Sequence, residues 1–258
     1  MIETGQEEVS EVDSLHCWNC TNSISVEARF CNHCGSLQLS EAGLPADEQK
    51  SYVTWLIAFF VIDLICCLTS HFMDGYDFTS MLVCDAIMLI NTAIFCFALR
   101  RDIGRILQWK SFSIGKLVLY SLLAVIGSIA VQISVTQINQ VLFHRDYHFY
   151  PLFLTTDYPF TYMLLCVAVL PAFVEEFGYR GFLISGLEKI IDPKQAMYIA
   201  SFAFAIMHLS FISFFWLLPF AFLLGRIRQK ENTIWYGVVI HFIFNATACL
   251  WERYADLF

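Results

Sequence analysis

Two adjacent carboxylates, Glu175 and Glu176, lie in a stretch that is otherwise apolar, with Arg180 four residues beyond. A charged side chain inside hydrocarbon is costly enough that an ionisable residue there is a functional hypothesis by default. The others of this kind are Asp63, Asp85, His208 and His241, with Asn91 and Asn245 as neutral companions. Glu176 and Arg180 stand i, i+4 with the acid first, the favourable order for an ion pair on one helix face. Successive helical residues point about 100° apart, so pairing Glu176 with Arg180 leaves Glu175 free to face a cavity. A carboxylate held there without a cation is a usable proton acceptor. With His208 nearby, a water between the two could be deprotonated and directed at a carbonyl. His241 and Asn245, also four apart, would offer hydrogen-bond donors to the oxygen that becomes negative. These residues describe a hydrolase, but they equally permit a metal site or a proton pathway.

Three spacings carry a family resemblance. Glu175-Glu176-Phe177-Gly178-Tyr179-Arg180 reads as EExxxR, Phe204 to His208 as FxxxH, and His241 to Asn245 as HxxxN. In this order, in consecutive hydrophobic segments between Phe160 and Trp251, they resemble the CPBP intramembrane protease family. That family contains the CAAX prenyl endopeptidases and bacterial proteins linked to bacteriocin processing and self-immunity. The resemblance implies Glu175 as catalytic glutamate, His208 as its partner in activating water, and His241 with Asn245 as the oxyanion pair. Glu176, Arg180 and Phe204 match the remainder of the motifs and read as support. The resemblance favours a glutamic mechanism with no catalytic metal, and the spacings do not reproduce a His-Glu-x-x-His zinc helix. A zinc held by Glu175, His208 and His241 is still compatible with the residue types. Nothing in the motifs identifies a prenyl-cysteine pocket.

The elements that must position these residues are transmembrane helices. Of 258 residues 58% are hydrophobic and only 15% charged, with 25 Phe and a mean hydropathy of +0.61, far from a soluble average. A span needs about 20 mostly apolar residues, and the runs Tyr52–Ser70, Thr79–Leu99, Ile114–Val135, Phe160–Leu187, Ala196–Ser210, Phe211–Gly225 and Ile234–Trp251 qualify. Pro171 could divide the fourth, which makes the expected count seven or eight. The polar start of the chain has no secretory signal pattern. With the N-terminus cytoplasmic, the inner loops Arg100–Lys116, Glu188–Lys194 and Arg226–Lys230 hold ten basic residues, against Arg145 and Arg253 outside. That asymmetry obeys the positive-inside rule. Trp109 suggests that part of the first inner loop lies along the interface.

Before the first span lies an acidic head. Residues 1–50 carry nine acidic groups against Arg29 and Lys50, so most of the formal charge of −8 sits there and nucleic acid is not an expected partner. Cys17-x2-Cys20-x10-Cys31-x2-Cys34 has the two-knuckle spacing of a zinc ribbon, with Gly35 suited to a tight turn. His16 and His33 adjoin the cysteines as alternative ligands. The remaining six cysteines, in apolar segments, read as small hydrophobes.

The expected architecture is therefore all-α, a polytopic transmembrane bundle of seven to eight helices with a small zinc-ribbon head. Residues 1–38 form the acidic segment with the ribbon at 17–35, 39–50 a linker, and 51–258 the membrane domain. The expected activity is intramembrane endopeptidase cleavage of a membrane-associated peptide or protein, with structural zinc in the head and the bilayer as constant partner. The ribbon is free to dock a further protein, and a bacterial plasma membrane with a cytoplasmic N-terminus is the expected location. Two other readings are a catalytically idle scaffold or immunity protein and a small proton-coupled transporter using Asp63, Asp85 and Glu175. No internal repeat supports the last.

Overall fold

Apolar runs separated by short polar turns fold as helices, because in lipid the backbone must satisfy its own hydrogen bonds. The computed structural model describes residues 14–17, 19–25, 28, 30–36, 46–109, 112–144 and 148–254. Residues 1–13, Arg29, Lys110, Arg145 and linker positions 39–45 lie outside the described residues. The described residues fall into two compact units, one within Met1–Gly43 and one within Leu44–Phe258.

The larger unit contains eight helices among the described residues: α1 (Ala46–Phe72), α2 (Phe78–Ala98), α3 (Arg100–Ile106), α4 (Ile114–Phe143), α5 (Pro159–Leu187), α6 (Pro193–Met207), α7 (Phe211–Glu231) and α8 (Trp235–Tyr254). Five of them, α1, α2, α4, α5 and α7, are long and apolar enough to cross a membrane. Only 11% of the apolar windows of α2 and α4 is buried within the protein, so most of that surface calls for lipid. The chain is a multi-pass integral membrane protein. Helix α6, at 15 residues, is short for a span, and α8 is made less apolar by His241, Asn245 and Glu252.

Several boundaries differ from the sequence reading. The fourth run is one 29-residue helix through Pro171, so it is not divided in two. Helix α1 begins at Ala46, within the stretch read as linker. Arg226–Lys230, read as an inner loop, belongs to α7. The helix persists because its end is fastened: Arg228 Nη1 donates to both Glu188 carboxylate oxygens at 2.8 and 2.9 Å, and its Nη2 to Ser185 Oγ at 2.6 Å. Beside it Gln229 donates to the Pro193 carbonyl. In the first inner loop, α3 buries Ile103 and Ile106, and Trp109 stacks on Trp235 at 6.4 Å.

Capping residues set the starts. Asp77 accepts from the Ser80 N–H and Oγ–H, both at 2.8 Å, and these bonds hold its carboxyl below the usual range. Ser113, Asp192 and Ser210 cap α4, α6 and α7 in the same way. In the head, Ser14–His16 and Ser23–Ser25 form a short antiparallel ladder.

Candidate active site

Helix α5 carries Glu175, Glu176 and Arg180, and its regularity breaks where they sit. Leu164–Val169 and Glu176–Leu183 are π-helical turns, a distortion that frequently marks functional sites. Pro171 has no N–H, so the Val167 carbonyl four residues earlier loses its usual donor. Asn245 of α8 supplies one, its Nδ2 donating to Val167 O at 2.9 Å. The Val174 and Phe177 carbonyls accept from Thr92 and Cys96 of α2.

Glu176 is fully buried and pairs twice through one oxygen. Its Oε1 lies 3.0 Å from His241 Nδ1 and 3.0 Å from Arg180 Nη1. A carboxylate can only accept, so the imidazole donates from Nδ1. The arginine contact is an ion pair by proximity: its N–H groups do not point at the oxygen, and both Nη atoms lack a hydrogen-bond acceptor among the described residues. The guanidinium instead lies over the Phe204 ring, 4.3 Å from its centroid, a cation–π contact. Phe204 is the hub of this cluster, since its ring also meets Tyr179 at 5.5 Å, His208 at 5.0 Å and His241 at 6.0 Å.

Glu175 takes the other direction. It lines a cavity of about 240 Å³ together with Tyr179, His208 and residues of α1 and α2. Its Oε2 is buried with no hydrogen-bond partner among the described residues, and His241 Nε2 stands 3.7 Å away. His208 caps the C-terminus of α6, and its Nδ1 lies 3.1 Å from the Phe204 carbonyl. The next residue, Leu209, adopts φ +48°, a left-handed conformation that glycine normally supplies after a helix. That turn aims the His208 ring into the cavity.

The fold thus brings Glu175 and His208 to one cavity and places His241 between Glu175 and Glu176. Asn245 is on the same face of α8 as His241 but has one amide hydrogen committed to Val167. Asp63 accepts from Asn91 Nδ2 at 2.8 Å and, at 3.4 Å, from the hydroxyl of Tyr179, itself a residue of the cavity wall. Asp85 leaves Oδ2 unpartnered among the described residues.

Two residues escaped the sequence reading. Gly237 stands four before His241, on the same face, and a Cβ there would come within 2.5 Å of Glu176 Oε2. The 237-241-245 spacing was the available signal. His71, in the last turn of α1, shares the cavity wall with Glu175 and His208; no motif contains it.

In the head, Cys17, Cys20, Cys31 and Cys34 bring their sulfurs within 4.8 Å of one another, the only such donor group among the described residues. The donors of Glu175, His208 and His241 are not gathered in this way. Cys17–Cys34 and Cys20–Cys31 sulfurs are 3.6 Å apart, close to the ~3.8 Å edge of a tetrahedron with metal–sulfur bonds of ~2.3 Å. Both knuckles repeat one pattern: Asn19 N–H donates to Cys17 Sγ and His33 N–H to Cys31 Sγ, each at 3.4 Å. Each closes on a positive φ, at Thr21 and Gly35. Burial opposes ionisation of both Cys17 and Cys34. For Cys17 the Ser36 hydroxyl and backbone donors outweigh it and bring the thiol down to about 6, whereas Cys34 is pushed up to about 12. The four residues fit a tetrahedral metal.

No curated protein and no solved structure matches this chain significantly. Residues 157–247, which hold the whole Glu175, Glu176, Arg180, Phe204, His208, His241 and Asn245 cluster, match the family model of the type II CAAX prenyl endopeptidase, Rce1-like.

Proposed function

We propose that this protein is an intramembrane endopeptidase in which Glu175 and His208 activate water. The observation that carries the reading is the Glu175 carboxylate: a buried oxygen without a hydrogen-bond partner among the described residues, in a cavity it shares with an imidazole. His208 Nδ1 faces a carbonyl and therefore donates, so Nε2 is the nitrogen left for a water held against Glu175. That water's proton passes to the carboxylate while its oxygen adds to the peptide carbonyl.

The oxygen that turns negative is met by His241 and Asn245. With Nδ1 fixed on Glu176, His241 presents Nε2 toward Glu175 and the reaction space. Donating from both nitrogens requires the imidazolium, whose charge the two glutamates flank. Asn245 has two amide hydrogens, and the one not given to Val167 is available to the oxyanion. Glu176 and Arg180 position His241 without touching substrate, and Phe204, whose ring lines the cavity, packs against both imidazoles. The substrate is a membrane-associated peptide or protein; the matched family's name makes a C-terminal Cys-aliphatic-aliphatic-X sequence the first to offer. The head binds structural zinc and faces the cytoplasm, in accord with the ten-to-two distribution of basic residues.

The test is cleavage by the purified protein in detergent of an internally quenched Cys-aliphatic-aliphatic-X peptide, with and without a prenyl thioether. Glu175→Gln and His208→Ala are expected to lower the rate at least about a hundredfold each. Full cleavage by the Glu175→Gln protein would overturn the mechanism.

A further inference from the structure

The cavity beside Glu175 has a second imidazole on its wall besides that of His208. His71 comes from α1, outside residues 157–247. Counting ring nitrogens separates it from His208 and from His241, which stands beside the carboxylates. His208 commits Nδ1 to the Phe204 carbonyl, and His241 commits Nδ1 to Glu176. His71 makes no hydrogen bond or ion pair among the described residues; its ring meets Phe72 edge-on at 4.7 Å and is exposed. Imidazole is the side chain whose ordinary titration lies nearest neutrality, and an exposed one exchanges its proton with water directly.

Peptide hydrolysis needs a second proton transfer, to the nitrogen of the departing amine, and either the newly protonated Glu175 or a separate acid on the cavity wall can make it. The amine departs only once its nitrogen is protonated, and at that moment Glu175 has just taken the proton of the attacking water. A peptide group seated against Glu175 in this cavity of about 240 Å³ has His71 on the same lining. The other titratable groups lining the cavity are Cys67, Tyr179 and His208, while Ser70, Met88, Phe204, Met207 and Leu209 are uncharged.

We propose that His71 is the general acid that protonates the leaving amine, an assignment that rests on the peptidase reading above. Water gives a proton to Glu175 as its oxygen bonds to the carbonyl carbon, and the carbonyl π pair moves to oxygen. As the tetrahedral centre collapses, the C–N bond breaks and its electron pair takes the proton of the His71 imidazolium. Glu175 then loses its proton to solvent and His71 regains one, so the sum is water plus peptide giving acid plus amine.

The experiment compares the quenched peptide with the same peptide carrying a thioester at the scissile position, whose thiolate leaves without a proton. For His71→Gln, kcat on the amide is expected to fall about a hundredfold, with KM within about twofold and the alkaline limb of the pH–rate profile reduced to the one His241 imposes. Cleavage of the thioester should stay near the unsubstituted rate, and added imidazole should restore amide cleavage by His71→Ala. Glu175→Gln should fail on both substrates. Equal loss on amide and thioester, or an unchanged amide rate and pH profile in His71→Gln, would overturn the acid role while leaving the peptidase reading intact. If the unsubstituted protein cleaves neither substrate, or Glu175→Gln cleaves both, the peptidase reading falls and this assignment falls with it.

Discussion

Glu176 is held by contacts that leave no room for change. Its carboxylate meets His241 and Arg180 through one oxygen, and the other oxygen faces the bare backbone of Gly237. Alanine in place of glycine inside a helix normally stabilises by roughly 0.5–1 kcal/mol. At position 237 the added methyl would stand 2.5 Å from Glu176 Oε2, and overpacking of this kind costs about 1–3 kcal/mol. Gly237→Ala is therefore expected to lower the thermal midpoint and, by displacing the glutamate that orients His241, to reduce kcat at least about tenfold. A raised midpoint with unchanged kcat would show that Glu176 has slack the geometry denies it. The Glu176–Arg180 pairing was legible because i, i+4 is a property of one helix. The Glu176–His241 bond was not, since its partners are 65 residues apart and meet only through packing. Asn245 shows a second limit: its spacing from His241 is readable, but its bond to Val167 depends on the carbonyl that Pro171 leaves without a donor.

At the scale of elements, hydropathy alone located the membrane helices, because the requirement for internal backbone hydrogen bonds leaves few alternatives. What it left open was whether α5 is one helix or two. The helix runs through Pro171 with π turns on either side, and side chains of α2 and α8 meet carbonyls along that stretch. Helix α6 ends for a reason equally hidden in sequence. Its C-cap, His208, is followed by Leu209 at φ +48°, where an L-residue is less favourable than glycine by about 1–2 kcal/mol. Because Leu209 also lines the cavity, the strained turn and the direction of His208 are one feature. Leu209→Gly removes the backbone cost, so the thermal midpoint should hold or rise. The same change frees the turn, and kcat should fall about tenfold through loss of a fixed His208. Paired measurements of midpoint and kcat check this, and the idea fails if both fall together.

Over the whole molecule, two different physical problems were solved separately. The membrane unit is stable because lipid and helix packing satisfy its apolar surface, and Glu175 and His208 are positioned by residues of that unit. The head is too small for an adequate apolar core, so a metal on its four sulfurs would supply the missing stability. Removal of the metal should then act on one unit only. A chelator is expected to release one metal per chain, expose Cys17, Cys20, Cys31 and Cys34 to alkylation, and abolish amide protection in residues 14–36. The thermal midpoint of the membrane unit and its peptide cleavage should be unaffected. Proton competition for the thiolates means that acidification should release the same metal. The decisive control replaces all four cysteines with serine. If that protein still loses cleavage to the chelator and regains it on adding zinc, a metal acts within the membrane unit, and the glutamic mechanism would have to give way to one that uses it.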